Sequence, residues 1–294
     1  VKVLSFGEIL FDLIEGQHYL GGAPFNYVAH LAKMGVDAYI FSRLGKDQLG
    51  QEARERIGQL GVKSDFLQAD EQHPSGTVTV SIREGQPTYH IHENVAYDYI
   101  DYDEAHTKLA GLSFDVLYFG SLIQRNQQSA DSLKKLLKQH QFRQVFYDIN
   151  LRKDCYTPEI IRESLGYCSI FKLNDEEVLE LGEMLYQQQM KTEDFCQRLA
   201  ADYQISLIVI TAGAQGCYIF EKDALTFVKG YPAKVVDTVG AGDSFSAAFT
   251  AFYLRKGDAR QAADVANQLG AFVASSRGPI PEYSDQIRQT LQLD

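Results

Sequence analysis

Apolar runs of strand length recur along the chain, at Val1–Phe6, Ala38–Phe41, Val116–Phe119, Val145–Asp148, Ser169–Leu173 and Leu207–Thr211, with helical spacing between most of them. A strand buried on both faces reads as a continuous apolar run, whereas a half-exposed one alternates apolar with polar residues. The succession of such runs and helices predicts an α/β fold: a doubly wound, mainly parallel sheet covered by helices on both sides. One region breaks the pattern. Between Asp65 and Asp98, the segments Gly76–Ile82 and Thr88–His92 alternate Thr, Val and Ser with apolar residues and flank Glu84-Gly85-Gln86-Pro87. This predicts a β-hairpin, and with it a small β lid drawn mainly from about 65–98, with part of 8–20 as a second candidate contributor. No internal repeat or low-complexity segment interrupts residues 1–294, which are expected to form one domain.

Composition narrows the classes. With 294 residues the chain can bury one large core. Hydrophobic residues at 45% and charged residues at 23% are ordinary for a soluble enzyme, and no run approaches the roughly 18 apolar residues that would cross a bilayer, so no membrane partner is expected. A formal net charge of −11 without clustered Lys and Arg argues against nucleic acid. A small anion remains open, because backbone N–H groups can hold one whatever the total charge. Cys155, Cys168, Cys196 and Cys217 are widely spaced with no CxxC or Cys/His pairing, which favours buried free thiols over a metal cage or disulfides. Val1 to Gly7 enters a strand at once and lacks the basic, apolar, small-residue order of a secretory signal, so the expected compartment is the cytoplasm.

The sharpest chemical feature is Asp237-Thr238-Val239-Gly240-Ala241-Gly242-Asp243-Ser244-Phe245, followed by a helical run over Ser246–Leu254. A Gly-Ala-Gly turn opening into a helix leaves unpaired N–H groups at the positive end of the helix dipole, an anion hole. A carboxylate at its rim, Asp243, can take a proton from an attacking hydroxyl while those N–H groups accept negative charge on a moving phosphoryl. Asp243 as a simple helix cap is the structural alternative. A second cluster, Leu20-Gly21-Gly22-Ala23-Pro24-Phe25-Asn26, precedes a helix over Tyr27–Met34 that ends at Gly35. Its glycines allow close approach to a ligand, Asn26 offers a donor and an acceptor, and Asp12 on a strand-like Glu8–Ile14 could accept from hydroxyls. Turn glycines, a helix-start Asn and an exposed Asp explain the same residues without a ligand.

Taken together, Gly21 to Asn26 with Leu31 and Gly35, and Asp237 to Phe245, resemble the two signatures of the ribokinase-like (PfkB) carbohydrate kinases. The resemblance covers nearly the whole chain and implies a Rossmann-like core with a small β lid, ATP and Mg²⁺ as cofactors, and a small-molecule sugar as partner. It implies Asp243 as base, Gly240, Ala241 and Gly242 as anion hole, and Asp12, Gly22 and Asn26 as sugar contacts. Asn174 and Glu177 resemble the family's Asn-x-x-Glu element for phosphate and magnesium, with a helix-start capping pattern as the alternative. A single Glu acting through water suffices for Mg²⁺, which keeps several waters and binds substrate phosphates. Thr211-Ala212-Gly213-Ala214-Gln215-Gly216 resembles the family's nucleotide-phosphate turn, which places Thr211, Gly213 and Gly216 near ATP, and Asn267 matches a position near adenine. Some relatives bind a monovalent cation through carbonyls at the equivalents of Asp237, Val239, Ala274 and Gly278, which adds K⁺ and Asp237 to the expectations. Some also dimerise through the lid, and a homodimer of that kind is a further expectation.

Gly7-Glu8-Ile9-Leu10-Phe11-Asp12, the Gly-Gly-Ala-Pro variant and Asp148-Ile149-Asn150-Leu151-Arg152 narrow the resemblance to fructokinases, with Asn150 and Arg152 as further substrate ligands. Arg152 could fork onto oxygen pairs or form a surface ion pair. Ile149 stands where those kinases usually carry Pro, and Tyr89 to Asn94 does not match their sugar-contacting segment. Other sugars, sugar acids and nucleosides therefore remain as acceptors. A nicotinamide enzyme would need Gly-x-Gly-x-x-Gly after the first strand, and a Walker-type kinase would need its lysine loop; neither occurs. A non-catalytic sugar sensor is the rival from another class.

Overall fold

Neighbouring residues of each central strand enter different cores. Val3, Ile40, Val116, Phe146 and Ile170 belong to one buried cluster, and Leu4, Phe41, Leu117, Tyr147 and Phe171 to another. A period of two with both sets apolar requires cover on both faces of the sheet. The computed structural model, which describes residues 1–14, 16–83 and 86–293, supplies it.

In chain order the strands are β1 (Lys2–Phe6), β2 (Leu10–Ile14), β3 (Gln17–Gly21), β4 (Asp37–Gly45), β5 (Lys63–Asp70), β6 (Gly76–Arg83) and β7 (Gln86–Ile91). There follow β8 (Phe114–Phe119), β9 (Phe142–Asp148), β10 (Ile170–Asn174), β11 (Leu207–Thr211), β12 (Gly216–Glu221) and β13 (Ala224–Lys229). Among the described residues, nine of them form the main sheet in the order β13-β12-β11-β10-β9-β8-β1-β4-β5. Its strands from β11 to β5 are parallel, and β12 and β13 are antiparallel. Helices α1 (Ala23–Lys33) and α2 (Gln48–Gln59) cover the first face. Helices α3 (Tyr102–Ala110), α4 (Gln127–Gln139), α5 (Pro158–Leu165), α6 (Asp175–Tyr186) and α7 (Thr192–Tyr203) cover the second. Helices α8 (Ala241–Lys256), α9 (Ala259–Ala274) and α10 (Asp285–Thr290) return to the first. The expected Rossmann-like, doubly wound core is present.

The small sheet has the order β3-β2-β6-β7, with β2 and β6 parallel and the other pairs antiparallel. The expected hairpin is β6–β7; Glu84 and Gly85 of its predicted turn lie outside the described residues. One placement differs from the expectation. The stretch from Asp65 was assigned to the lid, but β5 pairs with β4 as the edge of the main sheet. Its polar sequence hid this, since as an edge strand it buries only Phe66, Gln68 and Asp70. The small sheet takes its other half from β2 and β3, within the stretch 8–20 expected as its second contributor.

From β1 the chain runs to β4 and β5 on one side, then crosses to β8 on the other. A ligand crevice is favoured beyond the carboxyl ends of the strands where the winding reverses, and Glu8, Gly22 and the small sheet follow directly there.

Candidate active site

Gly240 adopts φ 79°, a left-handed conformation, and α8 starts after it without a side-chain cap. A Cβ at Gly240 would lie 2.5 Å from Pro279, so glycine is required there by backbone angle and by Pro279 rather than by a ligand. The N–H of Ala241 goes to Thr238 O at 3.2 Å. Among the described residues the N–H groups of Gly242 and Asp243 have no backbone acceptor, as first-turn geometry dictates. Among the described residues the donors left open at this turn are thus the N–H groups of Gly240, Gly242 and Asp243, while that of Ala241 is taken.

Asp243 does not cap its helix. Its Oδ2 accepts a hydrogen bond from Asn26 Nδ2 at 2.8 Å, joining the first turn of α8 to that of α1 across 217 positions of sequence. Burial pushes the Asp243 carboxyl up to about 6; the Asn26 bond and the charges of Lys172 and Arg152 pull it down, and Asp148 pushes it up. Asn26 is buried, and its Oδ1 has no partner. Gly22 caps α1 at φ 107°, with Glu8 O only 2.5 Å from where its Cβ would stand. Asp12, on β2, is half-buried and also raised, by burial first, with Arg152 opposing. Asn150 follows β9 at φ 40°, and Arg152 is exposed, forming no ion pair among the described residues while facing Glu8, Asp12 and Asp243 electrostatically. The structure therefore gathers Asp12, Gly22, Asn26, Arg152 and Asp243 at one crevice.

A buried ion pair supports that floor. Lys172 Nζ contacts both oxygens of Asp148 at 2.9 Å, and Tyr118 and Ser246 each donate to Asp148 Oδ2 at 3.0 Å. A Cβ on Gly242 would be 3.6 Å from Lys172 Nζ, so this ammonium lies beneath the Gly-Ala-Gly turn. The sequence reading missed the pair. Its signal is an acid closing β9 directly after buried Phe146 and Tyr147 and a lysine inside the buried run of β10, and β9–β10 pairing sets Lys172 opposite Asp148.

At the carboxyl ends of β10 and β11, Asn174 and Thr211 are register partners. Asn174 caps α6 in a reciprocal box: its Oδ1 accepts from Glu177 N at 2.8 Å, and Glu177 Oε2 accepts from Asn174 N at 2.7 Å. Glu177 Oε1 takes Leu151 N at 2.8 Å. Each carboxylate oxygen keeps a lone pair, which fits Mg²⁺ held through water better than direct ligation. No cluster of three or more metal-ligating side chains occurs among the described residues. The K⁺ expectation fits less well. Ala274 O already accepts from the N–H groups of Val236 and Asp237, and the Asp237 carboxylate from those of Val239 and Gly278, so one of the expected carbonyls has its lone pairs taken.

The turn Gly213–Gln215 borders a cleft of about 1160 Å³ lined by Ala214, Gln215, Phe227 to Pro232 and residues of α9. Gly213 has φ 52° in open space, whereas a Cβ on Gly216 would run into Val228 O at 2.1 Å, so Gly216 serves strand packing. Asn267 stands behind the cleft wall, donating to Val228 O and Lys229 O at 3.3 Å. It positions the wall rather than lining it. All four cysteines are buried and free.

The family model for pfkB family carbohydrate kinases matches residues 3–286. An uncharacterised sugar kinase of Pyrococcus horikoshii is 27% identical over 297 residues, covering 94% of this chain and 91% of the relative. Its crystal structure in complex with ATP superposes with a TM-score of 0.85 over 99% of both chains, at 24% identity. A fructokinase of Vibrio alginolyticus is 26% identical over 311 residues, covering 98% of each chain. The fructokinase of Vibrio cholerae O395, solved with fructose, ADP and calcium, gives a TM-score of 0.80 at 24% identity over 95% of this chain and 94% of that one.

Proposed function

Because the chain belongs to the pfkB family of carbohydrate kinases, we propose that it transfers the γ-phosphoryl group of ATP to a hydroxyl of a sugar, with fructose the first choice, and that Asp243 is the general base. The observation that carries this is the setting of the Asp243 carboxylate: bound by Asn26 at 2.8 Å, raised to about 6, and standing in the uncapped first turn of α8. Such a carboxylate is mostly ionised at neutral pH, yet more basic than an exposed one, which suits a general base.

In this reading the sugar occupies the crevice between the carboxyl end of β1 and the small sheet, held by Asp12, Asn26, Asn150 and Arg152. The attacking hydroxyl gives its proton to Asp243 as its oxygen bonds to the γ-phosphorus in line and the bond to the ADP oxygen breaks. The Gly242 and Asp243 N–H groups take up charge on the moving phosphoryl, with the Lys172 ammonium beneath them. Thr211, Gly213 and Asn174 border the nucleotide, and the cleft walled by β13 and α9 takes its adenine. When bound, Mg²⁺ neutralises phosphate charge, and Glu177 orients its waters. Closure of the small sheet over the sugar excludes water from the reaction.

Fructose is favoured because fructokinases match over nearly the full chain and because Gly7 to Asp12 and the Gly-Gly-Ala-Pro segment resemble those of fructokinases. The test is a coupled ADP-release screen of the purified protein against fructose, ribose, 2-keto-3-deoxygluconate, tagatose, nucleosides and phosphorylated sugars. Highest kcat/KM with fructose supports the reading; a higher value elsewhere reassigns the acceptor; ADP release with none favours a sugar sensor and rejects the kinase.

A further inference from the structure

Five buried side-chain polar atoms of the described residues have no hydrogen-bond partner, and four belong to one region. They are Glu8 Oε2, Asn26 Oδ1, Tyr97 Oη and Arg125 Nη1; the fifth, Ser42 Oγ, lies within β4. Leaving such an atom unpaired in the interior costs about 1–3 kcal/mol, more when it is charged, so four at one place call for a missing partner.

Topology brings the four together. Glu8 follows the carboxyl end of β1, and Arg125 follows that of β8, the adjacent strand where the winding reverses. The Tyr97 ring packs on Gly76 at the start of β6, where a Cβ would meet it at 2.4 Å. The Arg125 guanidinium lies 5.1 Å from the centre of that ring. Glu8 is in electrostatic reach of Asp243, Arg152 and Arg125, and Tyr97 of Glu8 and Arg125. Glu8 and Tyr97 are 4% and 0% exposed, and the Arg125 side chain 8%.

The chemistry of these atoms defines what they would bind. Asn26 Oδ1 and Glu8 Oε2 accept, Arg125 Nη1 donates, and the Tyr97 hydroxyl can donate. Groups that both give and take hydrogen bonds satisfy such a set, and hydroxyls do so. A carboxylate or phosphate would put acceptors against Glu8 and Asn26. Nor do these four groups have cationic charge to spare: Arg125 is already neutralised by Asp98, through Nε at 2.8 Å and Nη2 at 2.9 Å, and the nearby Arg152 guanidinium faces the carboxyls of Glu8, Asp12 and Asp243.

We propose that Glu8, Tyr97 and Arg125 form the specificity end of the acceptor pocket, completed by hydroxyl groups of a neutral polyol remote from the one that is phosphorylated. This deepens the sugar-kinase reading and rests on it. The pocket therefore selects uncharged sugars over sugar acids and sugar phosphates.

The test uses the full-length protein with ATP, fructose and its monodeoxy analogues, one sugar acid and one sugar phosphate. Tyr97→Phe removes only the unpaired hydroxyl, so thermal stability and ATP affinity should hold while KM for the neutral sugar rises about 3- to 10-fold; Glu8→Gln should raise it about 10- to 100-fold. One deoxy analogue should lose against wild type and show no further loss in Tyr97→Phe, a coupling that a purely structural role would not produce. An unchanged KM in both variants, or loss of every deoxy analogue alike in wild type and variant, overturns the assignment. Turnover confined to the acid or the phosphate overturns it while leaving the kinase reading intact; turnover with no sugar of any class overturns both.

Discussion

Replacing Asn26 by Ala removes the side-chain donor that, among the described residues, holds the Asp243 carboxylate at 2.8 Å. A hydrogen bond to a charged group contributes about 1.5–3 kcal/mol, and about 1.4 kcal/mol corresponds to one pH unit of differential stabilisation. The bond favours the ionised form, so its loss should raise the Asp243 pKa from about 6 by about one to two units. A base must be deprotonated to act. The acid limb of kcat/KM, which reports the free enzyme, should therefore move from about pH 6 to between about 7 and 8. At pH 7 the ionised fraction would fall from about nine-tenths to between about one-tenth and one-half. Any loss of sugar contacts through Asn26 would lower the plateau at all pH values without moving the limb. The assay is coupled ADP release from about pH 5 to 9, with the fold checked by thermal melting. A limb that stays in place or moves to lower pH would refute the argument that Asn26 tunes the base.

Three further outcomes follow from the same geometry. Asp243 has a folded pKa above its ordinary carboxylate value, so its ionisation favours the unfolded chain; stability is full below about pH 4 and is lost as pH rises through about 6. Asp243→Asn should thus stabilise the protein at pH 8 by up to about 3 kcal/mol and by little at pH 4, read from urea melts; an equal change at both pH values would contradict this. Lys172→Met leaves Asp148 buried without its cation and should cost about 3–5 kcal/mol, while the double variant Lys172→Met/Asp148→Leu should recover part of that loss; chemical denaturation decides. Gly22→Ala drives a methyl against Glu8 O at φ 107°, so it should displace Asn26 and cut kcat/KM by at least about tenfold, and an unaffected variant would show that this backbone contact is not needed.

What could be read from the sequence was local. The Gly-Ala-Gly turn and Asp243 lie within a few residues of one helix start, so glycine placement and helix-end electrostatics single them out without the fold. The central strands announced themselves because both faces are apolar. By contrast, β5 and β13 are the edge strands of the main sheet, where fewer positions are buried and the apolar signal fades. The Asn26–Asp243 bond, the Asp148–Lys172 pair and the convergence of Glu8, Tyr97 and Arg125 depend on strand order, which spacing alone does not encode. Asn267 and Gly216 illustrate the opposite limit, since the family resemblance set both near the nucleotide while their contacts in the structure hold β12, β13 and α9 together.

The role of Asp243 as the base of a phosphoryl transfer is tested most directly by the fructose-dependent kcat of Asp243→Asn beside its ATP affinity by calorimetry. The expected result is a fall in kcat of about 10²- to 10⁴-fold with ATP still bound at near wild-type affinity; near-normal turnover by the variant would contradict that role.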